Sequence, residues 1–455
     1  MMPVMRARRV LSLLVVLAAL SGARSARASG AAPLDRTERR IVAAVDRGAP
    51  AALALLERAV NLNSGTMNFE GVRAVGRMLE PEFAALGFAE HWVDGAAWGR
   101  AGHLIATRPG AAGAPRVLLI GHLDTVFERD SPFQRFEPLT DSTARGPGVI
   151  DMKGGDVIIL LALRSLAEAG VIDRLAFTVV LTGDEEKSGA PLALARRDLV
   201  EAADWADVAI GFEDGDGDPR HAVIARRGAS GWRLRTSGQP AHSSLIFRDE
   251  IGSGAIYEAA RILAAFHDSL GHEPYLTLNP GVIVGGTTTT FDDEASRGTA
   301  FGKSNVIAES TIVAGDLRTL SLEQLDRTRA TMRRIVGASP PHAGAAITFE
   351  DGYPPLAPAA GNRRLLELVD RASRDLGFGA VEAVDPARAG AADISFAEGR
   401  VEMALDAMGL KGDGGHTVKE TAILTVLPVQ AKRTAIVLER LALGWKRLRL
   451  VPSTP

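Results

Sequence analysis

Val117-Leu118-Leu119-Ile120-Gly121-His122-Leu123-Asp124-Thr125-Val126 is an apolar run that ends abruptly in a histidine and an aspartate. It predicts a buried strand, in which residues two apart face the same side, so His122 and Asp124 are expected to project together from its end. One can bind a metal ion while the other orients it. Two further runs end in acids rather than in ordinary turn residues: Leu175 to Thr182 leads into Gly183-Asp184-Glu185-Glu186, and Val208 to Phe212 leads into Glu213-Asp214. Between the first two runs, Arg145-Gly146-Pro147-Gly148-Val149-Ile150-Asp151-Met152-Lys153-Gly154-Gly155 reads as a glycine-rich loop that enters an apolar helix through Leu166. Any one of these acids could cap a helix or face solvent. Together they match a site built at the carboxyl ends of parallel strands in an α/β sheet.

Histidine with several carboxylates, in a chain without cysteine, suits zinc, cobalt or manganese. Adjacent Glu185 and Glu186 can diverge, one toward a metal and one toward a water, because neighbouring carboxylates need not share a task. With two metals ~3.5–4 Å apart, a carboxylate such as Asp151 would bridge them. A second glycine-rich stretch, Gly412-Asp413-Gly414-Gly415-His416-Thr417-Val418-Lys419-Glu420, adds His416 ahead of residues 421–443, which read as a helix.

The set His122, Asp151, Glu185, Glu186, Glu213 and His416, in this order with these flanks, resembles the dinuclear zinc exopeptidase family of aminoacylase, succinyl-diaminopimelate desuccinylase, peptidase T and the glutamate carboxypeptidases, and most closely the last. The resemblance covers nearly the whole chain after its first residues. It implies a zinc-exopeptidase (phosphorylase/hydrolase-like) three-layer α/β catalytic domain with an inserted ferredoxin-like α+β lid and dimerisation domain. It also implies two zinc ions per chain, with cobalt or manganese as alternatives. His122 and Glu213 would complete one metal's shell, Glu186 and His416 the other's, and Asp151 would bridge. Asp124 would orient His122, and Glu185 would be the general base that takes a proton from a metal-bridging water and passes it to the leaving nitrogen. In the inserted domain, His242 would reach a partner subunit's site to stabilise the oxyanion, while Asn305 and Arg318 would hold the substrate carboxylate, a task suited to arginine's planar fork. The chain departs from the family after Ala241-His242, where a proline is missing, and at Gly252-Ser253-Gly254-Ala255, where Gly-x-Asn-Ala is usual. Asp393, in Gly390-Ala391-Ala392-Asp393-Ile394-Ser395-Phe396, can be read as supporting the site, facing substrate or capping a helix.

Organisation along the chain agrees with an insertion. Helical patterns at 36–61 and 71–86 precede strands at 89–93 and 103–107 and then the ligand-bearing strands. From about residue 222 the order becomes strand 231–236, helix 252–270, strand 276–284, strand 306–317, helix 322–336 and strand 346–349, the split βαβ arrangement. The expected division is a signal peptide at 1–28, a first catalytic segment at 29–222, the lid and dimerisation domain at 223–350 and a second catalytic segment at 351–455.

Residues 1–28 hold Arg6, Arg8 and Arg9, an apolar 10–20 and Ala26-Arg27-Ala28, the three parts of a secretory signal. The apolar core is too short to span a bilayer, so the protein is expected to be exported, periplasmic or extracellular, by the general or the twin-arginine route, and free of the membrane after cleavage. Removing five arginines and no acid takes the formal charge from −3 to −8. With 5% aromatics and no basic run among them, a nucleic-acid partner is not expected. At 455 residues and 46% apolar content the chain can bury a large core. The function expected is hydrolysis of an amide next to a free carboxylate in a small peptide or N-acyl amino acid by a homodimer, glutamate carboxypeptidase-like. The alternatives are an N-acyl-amino-acid deacylase or dipeptidase of the same family, and a non-catalytic peptide-binding protein, against which Glu185 argues.

Overall fold

The computed structural model describes residues 33–293 and 295–449, so the signal reading at 1–28 lies outside the described residues. A six-stranded sheet organises the larger body, in the order Ala89–Asp94, Gly102–Arg108, Ala176–Thr182, Arg116–His122, Val208–Gly211, Met403–Leu405. The first two strands run antiparallel to their neighbours, and the remaining four are mutually parallel. Alternation along the strands feeds two cores. Val117, Leu119, Val179 and Ile210 face helices Arg36–Val60, Lys153–Glu168 and Val426–Arg449. Leu118, Ile120, Val180 and Ala209 face the layer of Arg197–Trp205 and the short turn Asp393–Ala397. Each fully buried side chain of this size contributes roughly 1.5–3 kcal/mol, and both faces of the sheet must be covered for the parallel strands to persist. Among the described residues, no helix is long and apolar enough to cross a membrane.

The inserted domain is the β-α-β-β-α-β unit Ser230–Gly238, Gly254–Leu270, Thr277–Gly286, Ser310–Arg318, Leu322–Val336, Ala343–Glu350. Its sheet is antiparallel throughout, with Thr277–Gly286 at one edge and Ala343–Glu350 at the other. Trp232, Leu234, Ile262, Phe266, Val313, Leu317 and Met332 form its core. The chain crosses between the two bodies along two adjacent segments, joined by the Arg226–Leu356 bridge and by the Ala229 N–H to Tyr353 O bond of 2.9 Å.

Several boundaries differ from the sequence expectation. The strand expected to carry both His122 and Asp124 ends at His122, so Asp124 lies in the turn beyond it. Residues 421–423 are a strand, and the helix begins only at Val426. The β-branched Thr421 and Ile423 pair with Arg145 and Thr143, which zips the His416 loop to the loop of Asp151. A hairpin, Thr288–Asp292 with Arg297–Phe301, occupies a stretch in which the sequence reading placed no element.

Candidate metal centre

Three parallel strands end side by side, and their C-terminal turns deliver His122, Glu185 with Glu186, and Glu213 to one edge of the sheet. His122 is 1% exposed, and its Nδ1 lies 3.0 Å from the main-chain oxygen of Asp124 and 3.4 Å from the Asp124 carboxylate. Its Nε2 faces Asp151 Oδ1 at 3.1 Å and Glu213 Oε1 at 3.6 Å. The other oxygen of Asp151 lies 2.9 Å from His416 Nε2, which is also 3.1 Å from Glu186 Oε2. Five side chains thus make two triads, His122-Glu213 and His416-Glu186, sharing the two oxygens of Asp151. Ligand atoms of His122, Asp151 and Glu186 also fall within 4.8 Å of one another. That grouping cuts across the triads, and the pairing of each Asp151 oxygen with its own imidazole is the better guide to which groups act together.

The electrostatics of the cluster call for cations. Burial pushes Glu185 and Glu213 well above the usual carboxylate range, and neighbouring acids add to it. Burial also raises Glu186, partly opposed by its bond to His416. Burial alone would lower His122, yet Glu213, Asp124 and Asp151 outweigh it and lift the imidazole well above its ordinary value. Hydrogen bonds to Asp151 and Glu186 raise His416 to about 11. Glu186 Oε1 is buried without a hydrogen-bond partner among the described residues, an uncompensated lone-pair site that a hard or borderline cation would satisfy. Two imidazoles, three carboxylates and an orphaned buried oxygen therefore fit a pair of divalent ions.

The residues that hold this arrangement were only partly visible in the sequence. Asp124 accepts from the N–H groups of Glu185 (3.0 Å) and Glu186 (3.2 Å) and from Thr66 Oγ1 (2.7 Å), so it anchors the base-and-ligand pair as well as His122. Glu420 is fully buried and accepts from the N–H groups of Gly148, Ile150 and Asp151 at 2.9–3.2 Å. Gly148 has φ of +72°, a left-handed conformation that favours glycine, and the loop it permits wraps the Glu420 carboxylate. His416 itself sits at φ +61°, a conformation few non-glycine residues adopt and one that clusters at functional sites. Asp406 accepts from Glu213 N–H at 3.2 Å and pairs with buried Arg226 at 2.7 Å. A Cβ at Gly211 would lie 2.3 Å from Asp406 Oδ1. Asp406 follows the parallel strand Met403–Leu405, the same strand-then-acid signal as the other three. Thr66 carries no such signal.

Asp393 opens the turn Asp393–Ala397 and bonds Thr182 Oγ1 and Arg196 Nε, each at 2.7 Å. It therefore lies buried beneath the Glu185 strand. The inserted-domain residues are placed differently. His242 is exposed, with Nδ1 2.8 Å from Ser244 Oγ, and the Asn305 carbonyl accepts from Ser243 N–H at 2.9 Å. Arg318, 36% exposed, bonds Asp316 at 3.0 Å. Asn305 precedes one end of Ser310–Arg318 and Arg318 closes the other, the two strand ends being ~26 Å apart at about 3.3 Å per strand residue. Within one chain, these three residues are not brought onto the His122–His416 cluster by any polar contact among the described residues.

Comparison with known proteins agrees with this geometry. The pattern of Peptidase family M20/M25/M40 matches residues 118–440, and the chain belongs to that family. It is a hydrolase of the metallopeptidase type. Carboxypeptidase G2 of Pseudomonas sp. (strain RS-16) is 26% identical over 376 residues, 81% of this chain and 84% of that protein. Acetylornithine deacetylase of Pectobacterium carotovorum subsp. carotovorum (strain PC1) is 31% identical over 182 residues, 37% of this chain and 45% of that protein. The crystal structure of aminopeptidase PepT from Bacillus cereus superposes with a TM-score of 0.66 at 20% identity, covering 87% of this chain and 99% of that one.

Proposed function

We propose that the enzyme is an exported dinuclear zinc exopeptidase that cleaves an amide bond next to a free carboxylate, as a glutamate-type carboxypeptidase does. The observation that carries the reading is the division of labour around Asp151: each of its oxygens serves one imidazole-carboxylate pair, while Glu185 belongs to neither pair. Two divalent ions held by His122, Glu213, Asp151, Glu186 and His416 would polarise the amide carbonyl and make a water nucleophilic near neutral pH. Glu185, kept basic by its buried acidic surroundings, accepts the proton of the attacking water and delivers it to the leaving nitrogen. Asp124 holds the main chain so that Glu185 and Glu186 diverge.

The carboxypeptidase G2 match over most of the chain supports the subtype. The acetylornithine deacetylase match supports N-acyl-amino-acid hydrolysis as the second reading. Metal-loaded protein is offered C-terminal-glutamate peptides, other dipeptides and N-acyl amino acids. Fastest turnover on the first group is expected, and preference for acyl amino acids would select the second reading. A homodimer is supported by exposed Phe247, Ile256, Tyr257, Ile283 and Phe301 on the inserted domain and by the open edge strand Thr277–Gly286. Arg318, Asn305 and a partner-directed His242 would then complete the site across the subunits. Export rests on the residues 1–28 pattern, and mass spectrometry of the recovered protein should find an N-terminus near Ser29.

A further inference from the structure

Glu185 and Glu186 are joined by a single peptide group, and that group is gripped from both sides. Its N–H, on Glu186, donates to Asp124 Oδ2 at 3.2 Å, and its carbonyl, on Glu185, accepts from the Tyr353 hydroxyl at 3.2 Å. A tilt of this peptide would swing the two carboxylates away from their separate targets. Asp124 belongs to the larger body. Tyr353 lies at its border: its side chain packs into the larger body, while its main chain is on the segment by which the chain returns from the inserted domain, its carbonyl accepting from Ala229 N–H of the outgoing segment. Gly352 beside it is packed so closely that a Cβ would fall 2.2 Å from Ala229 O.

The hydroxyl is itself fixed. Arg196 Nη2 donates to it at 2.6 Å, and Ser188 Oγ lies 3.1 Å away. Arg196 is 1% exposed and is held by Asp184 at 2.6 Å and Asp393 at 2.7 Å, while the Tyr353 ring meets Phe396 edge-on at 5.1 Å. A buried arginine with two carboxylate partners does not relocate cheaply. The phenol oxygen therefore has its lone pair and its proton committed, leaving it a brace for the peptide rather than a group for substrate.

We propose that Tyr353 is a positioning residue that braces the Glu185–Glu186 peptide from the hinge, so that the placement of the inserted domain is felt at the base. The inference rests on reading Glu185 as the base. Hinges use a few residues at segment crossings to absorb rotation. A crossing residue bonded directly to the base's own carbonyl couples that rotation to the proton transfer.

The test measures kcat, KM, metal stoichiometry and Tm of full-length, zinc-loaded protein on its best substrate. Tyr353→Phe should lower kcat about tenfold, equivalent to about 1.4 kcal/mol, with KM and metal content unchanged. Gly352→Ala, which displaces the crossing, should lower kcat as well, and the double variant should fall no further than the worse single one, because both act through the same bond. Parental kcat in Tyr353→Phe would overturn the inference, as would losses that multiply in the double variant. Should Gly352→Ala fail to fold, Tyr353→Phe decides alone. Glu185→Gln is run in parallel: if it stays active, the base assignment fails and takes the inference with it. An inactive Glu185→Gln beside an unaltered Tyr353→Phe defeats the hinge coupling only.

Discussion

The metal cluster and the inserted domain contribute polar side chains to one proposed reaction, yet they are built differently. Around Asp151 the more exposed His416 rests on Asp151 and Glu186, while four of the five proposed ligands are tied to a supporting group: His122 and the Glu186 N–H to Asp124, the Asp151 loop to Glu420 and Glu213 to Asp406. These supports are buried carboxylates that accept main-chain N–H groups, a rigid form of positioning. His242 and Arg318 lean instead on one near neighbour each, Ser244 and Asp316, and both face solvent. Chemistry at a metal tolerates little displacement, so its ligands are set by the fold of one chain. Groups that meet the far end of a substrate can be ordered later, by substrate or by a second subunit.

The largest effect that sharpens this contrast is expected at the shared carboxylate. Asp151→Ala should strip both ions and abolish turnover, whereas Asp124→Ala should cost less metal, measured by elemental analysis after dialysis. Loss of a single ion from Asp151→Ala would show that it does not bridge. Next comes Glu420, which touches no proposed ligand side chain. Glu420→Gln should weaken metal affinity about 10–100-fold, the usual consequence of disturbing a ligand's support, and unchanged affinity would break the claim that loop rigidity sets the site.

Stability against pH separates the cluster from the rest of the molecule. Burial raises Glu420 from 4.5 to about 8, and its carboxylate contacts raise His416 from 6.5 to about 11. Both bind protons more tightly when folded, so their contributions are complete below the ordinary values and are lost as pH climbs toward the raised ones. Asp151, held below its ordinary 3.8, contributes above that value and loses its contribution in acid. Chelator-treated protein should therefore melt lower at pH 9 than at pH 6. Added zinc should restore more at pH 9, because fewer protons compete there with the ions for the imidazoles and carboxylates. A melting temperature that rises with pH in the stripped protein would contradict this.

The smallest expected effect on the metal comes from the inserted domain. Arg318→Lys should leave stoichiometry unchanged while slowing free-acid substrates more than amidated ones, since a point charge loses the bidentate fork. Mixing His242→Ala with Glu185→Gln protein should recover activity if the histidine works across a dimer. An inactive mixture of subunits shown to exchange would confine His242 to its own chain.

Much of the fold and most of the candidate cluster could be read from residue patterns because both depend on local order. Apolar runs ending in His122, Glu185-Glu186 and Glu213 state strand direction and site edge together, and the β-α-β-β-α-β order of the insertion is present in the structure with one added hairpin between its second and third strands. What escaped depends on contacts between distant segments. Thr421 to Ile423 looked helical because the apolar helix follows directly, and only pairing with Thr143 to Arg145 makes them a strand. Glu420 carries no local signal of its role in the Gly412 to Glu420 stretch, since its three N–H donors come from residues some 270 positions away. Tyr353 and Arg196 acquire meaning only when the return segment is laid against the Glu185 turn.

Glu185 and Glu186 are proposed to do different work from adjacent positions. Turnover and metal stoichiometry of Glu185→Gln and Glu186→Gln, measured side by side, test this most directly. Glu185→Gln should lower turnover by at least ~100-fold, the worth of a positioned general base, with metal content nearly unchanged. Glu186→Gln should lose one ion and recover part of its activity in excess zinc. Metal loss from Glu185→Gln with retention in Glu186→Gln would reverse the assignment, and full activity in both would contradict the catalytic reading.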